Sequence, residues 1–142
     1  MSTTTIRILA GLVLIIHGIG HVMALLPAFN IASTEGWHYR SWLLTGILGE
    51  SFSRVLVVIL FGIPMIGFIA AGMGLLGWLV PQSAWQPLAL GSAVLSLVAL
   101  ALFWNAFVMF IPNKVGAIAV NLATLWVVLG AGTFAETLKS VT

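Results

Sequence analysis

The sequence predicts an all-α integral membrane protein, an antiparallel up-down-up-down bundle of four transmembrane helices with an interfacial amphipathic segment after helix 1. Three observations carry that expectation. Of 142 residues, 61% are hydrophobic and 6% are charged, where a water-soluble domain carries about a quarter charged residues. The apolar residues fall into four runs, each long enough to cross a bilayer, which takes roughly 20 residues. Lipid offers the backbone no partners, and the runs lack the alternation of barrel strands, so each must close its own hydrogen bonds as a helix. The lipid bilayer is then the main partner. So low a charge content excludes a soluble enzyme, and a nucleic-acid binder is excluded as well, since the net charge of +2 is not gathered into a basic face. The absence of cysteine removes disulfides and thiolate chemistry.

The four spans are placed at 6–26, 55–80, 88–111 and 115–133, within a single domain covering 1–142. Around Arg7, the run Leu9 to Ile16 and the small residue Ala24 imitate a signal peptide, but the apolar stretch continues to Leu26. Pro27 ends the first span. Pro64 lies inside the second and predicts a kink that frees the Leu60 carbonyl. Pro81 and Pro87 bracket the next turn, and Pro112-Asn113-Lys114 makes a tight third turn. Such short turns force antiparallel neighbours. Small residues four apart let the helices approach closely: Gly67 with Ala71, Ala70 with Gly74, Ser92 with Ser96, and Ala117 with Asn121. Glu136 and Lys139 read as a solvated helix end.

The one sizeable loop follows the first span. Across 37–50 a short amphipathic helix is expected at the interface, with Trp37, Tyr39 and Trp42 as headgroup anchors. Together with Glu35, His38, Arg40, Glu50 and Arg54 it would form a lid over one end of the bundle, termed side B. Glu50 and Arg54 stand in the order that favours a helical ion pair. Side B carries Arg40, Arg54 and Lys114, against Arg7 and Lys139 on side A, which by a margin of one turns side B to the cytoplasm.

The informative residues are those that hydrocarbon should reject: His17, His21, Asn105, Asn121 and Thr124, with Ser92, Ser96 and Thr133 as weaker cases. Counting at about 1.5 Å per residue, His21, Asn105 and Asn121 all fall roughly 8 to 9 Å below the side-B ends of their spans. His17 shares a helix face with His21, about one turn deeper. Thr124 lies one turn below Asn121, and Trp104 and Trp126 flank the layer. Two polar tiers would therefore descend beneath the lid, as in a pocket opening towards side B or a proton path. Gly18 and Gly20 remove bulk beside the imidazoles and would admit a neighbouring helix or a flat ligand.

Several chemistries fit such a layer. The imidazoles and carboxamides could simply hydrogen-bond across the bundle and set helix register, at about 1 kcal/mol or less each. His21 with His38 and Glu35 could hold a divalent metal, and one imidazole could ligate haem. His21 could also move a proton on a lipid-soluble substrate with a lid glutamate as partner. Nucleophilic hydrolysis is disfavoured, since no embedded acid is present to orient a histidine.

At His17-Gly18-Ile19-Gly20-His21 the chain resembles small uncharacterised bacterial four-helix membrane proteins with a His-Gly-x-x-His first helix. Trp104-Asn105 and Gly116 to Leu122 look like the second half of that pattern. In length and layout it is loosely similar to the DoxX-like group, whose members are proposed as accessory or redox-associated subunits. The resemblance implies a multi-pass protein of the bacterial inner membrane, and it carries over only the His pair, Asn105 and Asn121. The expected function is binding of a lipophilic ligand or cofactor in a pocket lined by His17, His21, Trp104, Asn105, Asn121 and Thr124, as a binding or accessory subunit. The alternatives are a membrane enzyme using His21, and a structural subunit of a homo-oligomer or larger membrane complex.

Overall fold

A computed structural model describes residues 2–107 and 111–130. The expected end of the fourth span at Thr133 and the Glu136–Lys139 pair lie outside the described residues. Regular structure among the described residues is helical, apart from one isolated bridge between Thr34 and Trp37. Four helical segments are long and apolar enough to cross a membrane: Thr3–Ala28, Glu50–Leu76, Gln82–Leu102 and Asn113–Gly130.

The first span is α1 (Thr3–Gly20) followed by α2 (Val22–Ala28), jointed at His21. Ser2 caps α1 by accepting a hydrogen bond from the Thr5 amide at 3.2 Å, which satisfies one of the donors a helix start leaves open. The span passes through Pro27 and stops after Ala28. A four-residue α3 (Thr45–Leu48) precedes α4 (Glu50–Leu76), the second span. Glu50 lies in the first turn of α4, where an acid complements the helix dipole, so the span begins ahead of its apolar run. α4 continues through Pro64 without a break and ends at Gly77, whose φ of 76° suits a left-handed cap.

The third span departs most from expectation. After a 3₁₀ turn at Gln82–Ala84, α5 runs over Trp85–Leu102 and stops there, with Trp104–Ala106 in a second 3₁₀ turn. The expected end at Ile111 is corrected. The last carbonyls of α5 are taken by the loop after the first span: Trp42 Nε1 donates to Ala101 O at 2.9 Å and Ser41 Oγ to Leu102 O at 2.5 Å. Carbonyls satisfied from outside the helix allow it to end within an apolar run. The Pro112-Asn113-Lys114 turn is corrected as well, since Ile111–Gly116 is π-helical and leads into α6 (Ala117–Leu125) and a second π-helical turn, Trp126–Gly130.

α4 is the hub: α1 and α2 pack on one side of it and α5 on the other, while α6 packs on α5. Gly11 faces Gly72, and Gly18 faces Met65, so α1 and α4 run antiparallel. The approach is close enough that a Cβ on Gly72 would lie 2.6 Å from the Gly11 carbonyl. Two apolar cores result, one around Val57, Phe61 and Phe103, the other around Leu14, Phe68, Leu75 and Trp85. Outside them, large apolar side chains such as Ile16, Ile63, Ile66 and Leu129 point away from the bundle. That inside-out surface follows from the low charge content and suits hydrocarbon rather than water.

Candidate functional site

Within the bundle, four polar side chains from three spans form one closed hydrogen-bond ring. His17 Nε2 meets Asn121 Oδ1 at 3.2 Å, Asn121 Nδ2 meets Ser96 Oγ at 2.9 Å, and His21 Nε2 meets Ser96 Oγ at 3.0 Å. His21 Nδ1 closes the ring on the His17 carbonyl at 3.0 Å. Asn121 and Ser96 are fully buried and His21 nearly so, whereas His17 is part-exposed. The imidazoles stand edge to face, 5.1 Å apart, and Phe68 meets the His17 ring at 4.7 Å.

Proton positions follow from the acceptors. A carbonyl only accepts, so His21 Nδ1 carries hydrogen and a neutral His21 accepts at Nε2 from the Ser96 hydroxyl. Ser96 then receives the Asn121 amide, and Asn121 Oδ1 receives His17 Nε2–H. Every bond runs in the same sense around the ring with both imidazoles neutral, the form that costs least in an apolar interior.

Beside the ring lies a cavity of about 360 Å³. Ile16 and Gly20 line it from the first span, Ala117 and Val120 from the fourth, and Phe61 and Leu100 from the second and third. His17, His21 and Ser96 supply polar wall. Gly18 packs on α4, so its missing side chain serves helix contact, while a Cβ on Gly20 would meet nothing within 4 Å. A second cavity of about 260 Å³ lies on the other side of the His17–Asn121 bond, lined by Leu14, Leu75, Trp85 and Thr124 among others. The first and fourth spans therefore border an open seam that the His17–Asn121 bond crosses.

Of the residues expected to line one pocket, the structure gathers His17, His21 and Asn121. Asn105 is corrected: it is exposed in the turn after α5, where its Oδ1 accepts from the Trp42 amide at 2.8 Å. Its depth was counted from a span end that α5 never reaches. Trp104, 40% exposed, shares that turn, with Lys114 Nζ 4.9 Å above its ring. Thr124 borders the second cavity and donates to Val120 O in its own helix at 2.8 Å. Trp126 is 67% exposed. Ser96, which joins two of the ring's bonds, drew little weight from sequence because serine is common in membrane helices.

The lid is a strap rather than a cover. No described residue of 29–49 lines the cavity, whose walls come from the spans and from Phe107. Trp37 Nε1 donates to Met23 O at 2.9 Å, and the His38 amide to Ala106 O at 3.2 Å. Glu50 pairs with Arg40 at 2.6 Å, and Arg54 instead stacks on Tyr39 at 4.5 Å and donates to its hydroxyl at 3.1 Å. The expected Glu50–Arg54 pair is thereby corrected. Tyr39 in turn donates to Glu50 at 3.2 Å. Partial burial, with Arg40 adding to it, lowers the His38 pKa from its usual 6.5. Glu35 is exposed in the strap, and among the described residues no three His, Asp or Glu side chains gather as a metal site requires. The expected His21–His38–Glu35 cluster is not assembled, since His21 has both nitrogens engaged inside the bundle and His38 Nδ1 accepts from the Arg40 amide. Comparison of the chain with protein-family models, curated proteins and solved structures gives no match.

Proposed function

We propose that the chain is a multi-pass protein of the bacterial inner membrane that binds a lipophilic ligand or cofactor in the seam between its first and fourth spans, as a binding or accessory subunit. One observation carries the reading: a cavity of about 360 Å³ with polar groups in an otherwise apolar wall. Binding sites for small molecules have this character, a concave apolar surface with a few placed polar groups. Val13, Ile16 and Met23, which line the cavity, are exposed on the apolar surface, so a bilayer-dissolved molecule would meet its rim there. The ring holds its own side chains in fixed rotamers, so the site is organised before anything enters.

The test fills the cavity without disturbing the bundle. Gly20→Leu puts a side chain into open space, and in a helix leucine is favoured over glycine by somewhat less than about 1 kcal/mol. Native mass spectrometry of protein extracted in mild detergent should show a bound non-protein species in the original chain and none in Gly20→Leu, with no loss of unfolding midpoint in the variant. A species retained equally by both, or absent from both, defeats the proposal.

A further inference from the structure

We infer that the ligand is an uncharged lipophile carrying a hydroxyl group, and that this hydroxyl donates to His17 Nδ1; the inference rests on the seam being a binding site. The ring of hydrogen bonds fixes the argument. With Nε2–H committed to Asn121 Oδ1, a neutral His17 presents Nδ1 as a bare acceptor. No hydrogen bond from the described residues reaches that nitrogen, and it is not sealed in the core. By contrast, every other ring nitrogen, hydroxyl and carboxamide oxygen of the cluster already has a partner. His17 lines the cavity, so within the ring the unfilled position is an acceptor. It calls for a donor on the ligand.

The remaining wall restricts the rest of the molecule. Among the described residues lining the cavity there is no Asp, Glu, Lys or Arg, so nothing there would compensate a buried charge, which carries a large desolvation cost. Phe61, Leu100 and Phe107 supply apolar and aromatic surface. Asn113 adds a carboxamide to the lining, on the fourth span. A free alcohol or phenol on an apolar body meets these requirements. A carboxylate or an ammonium does not, and a molecule with acceptors only would leave His17 Nδ1 without a donor.

Two probes isolate the donor: 4-octylphenol and its methyl ether, 4-octylanisole, which share the apolar body and differ in the O–H. Titrated into the full chain in detergent micelles, the phenol should bind about fivefold tighter than the ether, the size of one neutral hydrogen bond. In His17→Phe the phenol should fall to the affinity of the ether, while the ether is unchanged. A second measurement needs no variant: the ¹⁵N resonance of His17 Nδ1 should move on adding the phenol and stay put with the ether. Equal affinities together with a still resonance overturn the donor inference but leave the seam as a site for apolar molecules. If neither probe binds, the seam reading itself fails and the inference goes with it.

Discussion

The strap at 29–49 and the seam between the first and fourth spans are built from the same scarce polar residues and hold in opposite ways. The strap is tied at many points. Trp37, His38, Ser41 and Trp42 donate to the carbonyls of Met23, Ala106, Leu102 and Ala101, and Asn105 accepts from the Trp42 amide. The seam is crossed by His17–Asn121, with open volume on both sides. The difference lies in where backbone groups are free. Helix ends leave carbonyls without partners, and a polar loop can satisfy several of them at once. Mid-span, most backbone groups are used inside their own helix, so side chains are the main means of joining two spans, and a chain this apolar has few. A tether therefore arises where the backbone is open, and a cleft where it is closed.

That contrast can be broken most forcefully at Asn121. Asn121→Leu removes two ring bonds and leaves His17 and Ser96 each short of a partner. The expected cost is about 1–2 kcal/mol, seen as a lower unfolding midpoint in detergent and faster hydrogen exchange along α6. An unaltered midpoint would mean that the spans need no polar bridge. Ser41→Ala acts on the strap. Ser41 Oγ accepts from the Leu43 and Leu44 amides at 3.3 and 3.1 Å and donates to Leu102 O, so about 1 kcal/mol is expected. Because other ties remain, exchange should rise across 41–48 with little change in the global midpoint; a global loss would show that strap and bundle unfold as one unit.

The smallest effect is a pH response. His38 has its pKa lowered below 6.5 by burial, with Arg40 contributing. The unfolded chain therefore binds this proton more readily than the folded one, and stability falls as pH drops through 6.5 towards the folded pKa. Protonation also removes the acceptor that the Arg40 amide uses. Limited proteolysis in the strap should quicken between neutral and mildly acid pH. His38→Gln should flatten that response, and an equally steep one in the variant would assign it elsewhere.

Much of the architecture was legible from hydropathy, since a chain with 6% charge has too few polar groups to present to water. Helix ends were less so. The apolar run 88–111 hides the stop at Leu102, because that stop depends on Ser41 and Trp42, about sixty residues upstream. The same distance explains Asn105: composition reads it as a membrane carboxamide, whereas its Oδ1 is taken by the strap's Trp42 amide. Glu50 and Arg54 have helical spacing, but Arg40 and Tyr39 reach them from the loop and divide them. Local spacing names possible partners, and the loop path selects among them.

Two properties belong to the order of residues alone. The apolar runs make helices long enough to cross a membrane, the form hydrocarbon would require of a backbone; and the four-residue step from His17 to His21 puts both rings on one face, because of helix pitch. What only the packed bundle decided is that Ser96 closes the ring, that Asn105 stays out of it, and that the first and fourth spans stand apart. Each of these depends on which helices α4 and α5 bring within hydrogen-bond reach, a matter of three-dimensional distance that linear spacing does not contain.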